Sequence, residues 1–223
     1  LVAGERPDIT GDQLLWWVQN DRGNVHERTN APPLGIEMHV SAFAYNTPGP
    51  LGNTTFYRYR LFYKGDRPST DTYFGIFSDP DLGNFDDDYV GSDSVLNLGY
   101  VYNADNDDEG REGYGEAPPA VGYKLLEVTG EGSDSSVTRA GATVPAQALM
   151  TSFMYYTGGA GRTGDPANAA DMYNYMSGRW KDGQRFTLGG NGRDFSNIPT
   201  NYQFPGNPPE FWTEFNSDGQ GTA

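Results

Sequence analysis

Several stretches of the chain alternate apolar and polar side chains with a period of two, and this alternation limits the fold more than any other feature. Residues 35–45 (GIEMHVSAFAY) do so, and residues 54–64 (TTFYRYRLFYK) set Phe56, Arg58 and Arg60 against Tyr57, Tyr59 and Leu61. Residues 70–78 (TDTYFGIFS) follow a Gly-Asp-Arg-Pro turn, and 95–103, 122–129 and 148–157 continue the pattern. Alternation rich in β-branched and aromatic residues is the signature of antiparallel strands with one covered face. Gly 30 and Pro 15 make up about a fifth of the 223 residues and punctuate these runs with turns. The expected fold is all-β: an antiparallel, jelly-roll-like β-sandwich forming a single domain over residues 1–223, with long loops.

One helix interrupts the strands. Asp165-Pro166 reads as an N-cap followed by a first-turn proline, Ala169, Met172, Tyr173 and Met176 fall at i, i+3, i+4 and i+7, and Gly178 ends the run. That stripe is expected to pack on the sandwich. Just before it, Gly159-Ala-Gly161-Arg-Thr-Gly164 spells a dinucleotide-binding fingerprint. The reading fails, because that motif needs repeated βα alternation and the chain offers a single helix. A carboxylate at Asp165 would also occupy the place of the pyrophosphate.

Charge narrows the partners. With Asp+Glu 30 against Lys+Arg 15, the formal net charge of -15 opposes both nucleic-acid phosphates and anionic lipid heads. No apolar run approaches the roughly 18 to 20 residues a bilayer crossing needs, so neither nucleic acid nor direct membrane insertion is expected. Zero cysteine excludes disulfides, thiolate nucleophiles and cysteine-ligated metals. A start at Leu1 with no signal segment leads us to expect a piece of a longer precursor.

Acidity is concentrated. Between Asp79 and Glu116 stand 9 Asp and 3 Glu against Arg111 alone. Hard cations such as Ca²⁺ take six to eight oxygens at about 2.3 to 2.6 Å, and a glycine-bearing loop can curl closely spaced carboxylates around one ion. Asp79, Asp81, Asn84, Asp86, Asp87, Asp88 and Asp93 are candidate ligands on this ground. A second cluster, Asn103, Asp105 and Asp107, has the 1, 3, 5 spacing of an EF-hand loop but not the rest of it: Asp108 stands in the place of the turning glycine and Tyr114 in that of the bidentate glutamate. One or two Ca²⁺ ions are expected across the two clusters, and a plain solvated acidic face is the competing reading.

Catalytic patterns are sparse. There is no nucleophile elbow, no HExxH and no P-loop, and His39 reads as a structural imidazole within Met38-His39-Val40. Paired carboxylates of a glycoside hydrolase remain a minor alternative, their separation being invisible in sequence. Trp16, Trp17, Trp180 and Trp212 carry a further alternative, stacking on sugar rings in a carbohydrate-binding module, against the ordinary role of such residues in cores. Asn53-Thr54-Thr55 matches the N-glycosylation triplet.

A longer succession of motifs carries a family likeness: Asp12-Gln-Leu-Leu-Trp16-Trp17-Val-Gln-Asn20-Asp21-Arg-Gly23-Asn24, Phe56-Tyr57-x-Tyr59, Asp79-Pro-Asp81-Leu-Gly-Asn84 and Asp87-Asp88-Tyr-Val-Gly-Ser-Asp93, then Leu98-Gly-Tyr-Val-Tyr102-Asn103, Tyr114-Gly-x-x-Pro118-Pro119 and Tyr173-Asn174-Tyr175-Met176-x-Gly178-x-Trp180-Lys-Asp182-Gly183. In these the chain resembles an uncharacterised β-rich region of large secreted surface proteins of Bacteroidota-type bacteria, cargo of the type IX secretion system. The resemblance implies export, into fluids whose millimolar Ca²⁺ fills even weak sites. It assigns no reaction. The function expected is a calcium-stabilised extracellular structural or adhesive module at the cell surface, its partners being neighbouring domains or subunits, or glycans. Self-assembly through an open sheet edge is one form of that role.

Overall fold

The computed structural model describes residues 9–128, 136–139, 142–145, 150–193, 196–206 and 211–214. The described residues are β-rich, as the alternation predicts, with one α-helix among them, and the strands form several small antiparallel sheets. Two compact units divide the chain, Leu1–Thr72 and Tyr73–Ala223.

The first unit is a meander. Strands β1 (Gln13–Asn20), β2 (Ile36–Ala44) and β3 (Thr55–Tyr63) pair in sequence order, with β2 in the centre. Strand β1 was not anticipated, because LLWWV is an unbroken apolar run whose period is masked. Its neighbours supply the missing signal: Trp17 pairs with Val40, and Val40 with Tyr59, so these three share a face on which Val40 is fully buried. Asp21 fastens the β1–β2 connection by accepting from the backbone amides of Leu34, Gly35 and Ile36.

Residues 70–78 form no ladder. The segment is extended and exposed, with Phe77 stacked on Tyr156 at 6.0 Å, and the boundary between the units falls inside it. Aromatic alternation here marks rings that lean on neighbouring side chains rather than a paired strand.

In the second unit β4 (Asp88–Asp93), β5 (Leu98–Asn103), β6 (Asp107–Asp108), β7 (Gly115–Glu116) and β8 (Ala120–Lys124) follow one another. They form a β4–β5–β8 sheet and a small β6–β7 hairpin. The outer edge of β4 is covered by residues 212–214, through Ser92 N to Trp212 O at 3.1 Å and Glu214 N to Val90 O at 2.8 Å. Two further strands, β9 (Ser136–Arg139) and β10 (Ala142–Pro145), pair with each other, as do β11 (Phe186–Thr187) and β12 (Pro199–Thr200). The expected strand at 148–157 is reduced to a single bridge, Phe153 with Tyr202, and its first two residues lie outside the described ones.

The helix α1 (Ala169–Met176) begins four residues beyond the expected cap. Asn168 is the N-cap, its side chain accepting from Asp171 N at 3.0 Å, and Asp171 reaches back to Ala167 N at 2.9 Å. The first bond satisfies a free amide of the first turn and the second ties the approaching chain to that turn, so the helix starts here rather than at Asp165. Gly178, at φ +76, ends it. The buried residue is Tyr175, off the expected stripe, while Tyr173 and Met176 are exposed. A phenol hydroxyl needs a partner when buried, and Tyr175 finds two carbonyls, Gly164 O at 2.6 Å and Arg162 O at 3.1 Å. Burial pushes that phenol up to about 12, which keeps it a donor. The glycine-rich turn thus serves as a carbonyl platform for the helix. Tyr175, Trp180 and Phe186 form the core cluster here, with Met154 and Tyr156 against it.

Candidate cation site

The acidic run folds into the start of β4, the end of β5 and the loops beside them. Asp88 opens β4 and stands directly opposite Asn103, which closes β5. Side chains of paired residues share a sheet face, so the carboxylate and the amide face the same side. Asp87, the last residue of a short 3₁₀ turn (Phe85–Asp87), precedes them, and its carbonyl accepts from Ala104 N at 2.9 Å.

Loops close around this corner through their carboxylates. Asp88 Oδ2 accepts from Leu82 N at 2.9 Å, and Asp108 accepts from Asn84 N at 3.0 Å with one oxygen and from Tyr114 N at 2.7 Å with the other. Asn103 Nδ2 donates to the carbonyls of Asp105 and Asp107, at 3.3 and 3.4 Å. Gly83 passes so near Asp108 that a Cβ there would stand 2.1 Å from Oδ2, and its φ of +72 is one that only glycine adopts freely.

Three oxygens remain over. Asp87 Oδ1, Asp88 Oδ1 and Asn103 Oδ1 are buried, and no donor reaches any of them. An oxygen removed from water without a replacement partner costs about 1 to 3 kcal/mol, more when charged. Asn103 as a whole is 6% exposed, so water does not reach its amide freely. Burial raises the Asp88 carboxyl above its ordinary value, the Leu82 amide opposes the shift, and the charges of Asp87, Asp108 and Asp81 add to it. Two carboxylates and an amide carbonyl, oxygen only, are a donor set for a hard cation rather than for a soft metal. Among the described residues no three Asp, Glu or His side chains form a metal-holding group, so a shell here would need backbone carbonyls and water beside these three oxygens.

The other candidates scatter. Asp79, Asp81 and Asp86 are exposed. Asn84 caps the 3₁₀ turn through Asp86 N, and Asp105 Oδ1 accepts from Asp107 N, so both serve their own loops. Asp107, in β6, is exposed. Asp93 lies at the far end of β4, where it accepts from Val95 N and Leu96 N and turns the chain into β5. Five residues of strand, about 17 Å, separate it from Asp88. The residue sequence reasoning passed over is Asp108, 1% exposed and the organiser of both loops. The nearest signal was negative, since Asp108 was the residue that broke the EF-hand pattern.

The tryptophans do not form one platform. Trp16 and Trp17, adjacent on β1, are on opposite faces of their sheet. Trp180 is fully buried, Nε1 donating to Gly192 O at 3.1 Å, which removes it from any sugar-binding surface. Large rings with one polar tip are ordinary core material when a carbonyl meets the tip. Trp212 stacks on Tyr102 at 5.9 Å and lines, with Tyr100 and Gly122, an open groove of about 360 Å³. The hydroxyl of Tyr100 is committed to Trp212 O at 2.7 Å. No helix among the described residues is long and apolar enough to cross a membrane.

Family models, curated proteins and solved structures were all compared with the chain, and none matches.

Proposed function

We propose that this chain is a calcium-stabilised structural or adhesive module of a secreted or surface-attached bacterial protein, with Ca²⁺ held between Asp87, Asp88 and Asn103. What supports the reading is the set of three buried, undonated oxygens at the β4–β5 corner. Left bare, they desolvate two carboxylates beside further acidic residues; a divalent cation turns the same arrangement from a cost into a gain. Ion binding to the folded state alone adds RT ln(1 + [L]/Kd), roughly 2.7 kcal/mol at a hundredfold excess. Extracellular Ca²⁺ then acts as a folding aid after export, and the module's role is to present its sheets within a larger assembly.

The test is thermal unfolding in EDTA and in millimolar CaCl₂, for the wild type and for Asp87→Asn/Asp88→Asn. A Tm rise of several degrees with calcium in the wild type, absent from the double variant, is expected. A wild type indifferent to calcium after EDTA stripping would sink the reading.

A further inference from the structure

The sheet of the first unit carries a second chemistry. Trp16 is paired with Ser41, and Ser41 with Arg58, so the three stand in one row on one face. The adjacent rows on that face are Val18, His39 and Arg60, and Leu14, Phe43 and Phe56. Trp16 is 61% exposed, and both arginines are exposed. Its indole meets the His39 ring at right angles, centroids 5.8 Å apart, whereas the Arg58 guanidinium lies over Phe43 at 5.9 Å. His39 and Phe43 flank Ser41 along β2, so the two large side chains lean apart and leave the small serine between them. Two strand spacings put the backbones of Trp16 and Arg58 about 10 Å apart.

Charge on this face is unspent. The chain has Asp+Glu 30 against Lys+Arg 15, yet among the described residues neither Arg58 nor Arg60 is ion-paired. Glu37, on the same face, is taken by Lys64 Nζ at 2.6 Å and by the His39 ring at 3.1 Å. Lys64 first, then His39, holds its carboxyl below the ordinary value. Arg60 lies over Phe62 at 5.6 Å. A guanidinium resting on an aromatic ring keeps the in-plane donors that fit a carboxylate in two-point contact.

We infer that this face binds an acidic oligosaccharide of hexuronate type: one sugar ring stacks on Trp16, and Arg58 and Arg60 hold the carboxylates of neighbouring rings. The argument is independent of the cation site. Charge complementarity alone would also admit the Asp-rich loops of a second copy, but those would leave the exposed indole unused, and a flat ring and a cation whose backbones stand about 10 Å apart match the span of two linked sugar rings. Because the chain's formal charge is -15, general attraction for a polyanion is absent, and capture has to come from this face.

The experiment is calorimetric titration of the full chain with oligogalacturonate, in EDTA so that calcium plays no part, beside a neutral cello-oligosaccharide. Saturable binding of the acidic sugar alone is expected, weakened at least tenfold by Trp16→Ala and by Arg58→Gln, and changed less than twofold by Tyr57→Ser on the opposite face. Circular dichroism at the titration temperature, below the Tm in EDTA, establishes that the wild type in EDTA matches the wild type in CaCl₂ and that each variant is folded. No binding, equal binding of the neutral sugar, or an Arg58→Gln effect confined to self-association in sedimentation would each overturn the inference.

Discussion

Asp88 and Asn103 face each other across the first rung of the β4–β5 ladder, and each ends in a buried oxygen that receives no hydrogen bond. The pair is arranged for an acceptor-only environment, in which the missing partner is positive. Asp88→Asn keeps an oxygen for the Leu82 amide and replaces the orphan with an NH₂ able to donate to its neighbours. In EDTA this variant should be about 1 to 2 kcal/mol more stable than the wild type in urea unfolding, and it should lose the response to calcium. Destabilisation in EDTA would show that the corner is not electrostatically burdened.

Asp108 joins the Leu82–Asn84 loop to the Tyr114 loop through two backbone amides. Asp108→Ala strands both donors, and the expected loss is about 2 to 4 kcal/mol by chemical denaturation. A loss below about 1 kcal/mol would mean that water replaces the carboxylate without cost.

Gly83 and Gly110 both have positive φ, at +72 and +95, but only Gly83 is crowded. Alanine at Gly110 meets open space and should cost the backbone penalty alone, about 1 to 2 kcal/mol. Gly83→Ala also drives a methyl group into Asp108, so its cost should exceed that of Gly110→Ala by at least about 1 kcal/mol. Equal Tm shifts for the two variants would contradict this.

Glu214 accepts from Tyr155 at 2.5 Å and from Val90 N at 3.4 Å where the chain covers the edge of β4. Burial raises its carboxyl above the ordinary 4.5, the Tyr155 and Val90 bonds and the Arg193 charge opposing the shift. The folded state therefore holds this proton more tightly than the unfolded chain. The stability it contributes is complete below 4.5 and is lost as pH rises through the raised folded value. Glu214→Gln removes that loss, so the difference in unfolding free energy between variant and wild type should shift in the variant's favour as pH rises through this window. A pH-independent difference would count against it.

Trp180 is fully buried, meets Phe186 edge-to-face at 4.8 Å and bonds Gly192 O. Trp180→Ala should cost about 3 to 5 kcal/mol in equilibrium unfolding, and Trp180→Phe less, since it keeps one six-membered ring and loses the second ring and the bond to Gly192 O. A surface-like loss of under about 0.5 kcal/mol for the alanine variant would contradict its place in the core.

Local pattern carried the strands whose alternation was clean. Residues 35–45 and 54–64 became β2 and β3, paired neighbours in one sheet; Val40 and Ala42 are buried on one face of the central β2, whereas β3 is largely exposed on both faces. β1 was hidden by its unbroken apolar run, and β4 by its acidity: Asp88–Asp93 reads as loop chemistry, yet its alternate residues lie against β5 and the 212–214 segment. The helix was legible in kind and misplaced at its start, since Asn168 and Asp165 are both competent caps and only the bonds that Asp171 makes to Asn168 and Ala167 select between them.

By itself the sequence determined the β-rich class, the single helix, the concentration of charge between Asp79 and Glu116, and the absence of any cysteine chemistry. These follow from short-range preferences and from counting. Tertiary structure alone decided that Asp88 meets Asn103, that Asp93 stands at the other end of the same strand, and that Trp180 is core while Trp16 is surface. Register, loop closure and burial are set by contacts between residues far apart in the chain. Carboxylates that look alike in the sequence are therefore sorted into a turn former, a loop organiser and a pair of orphans only once the strands have met.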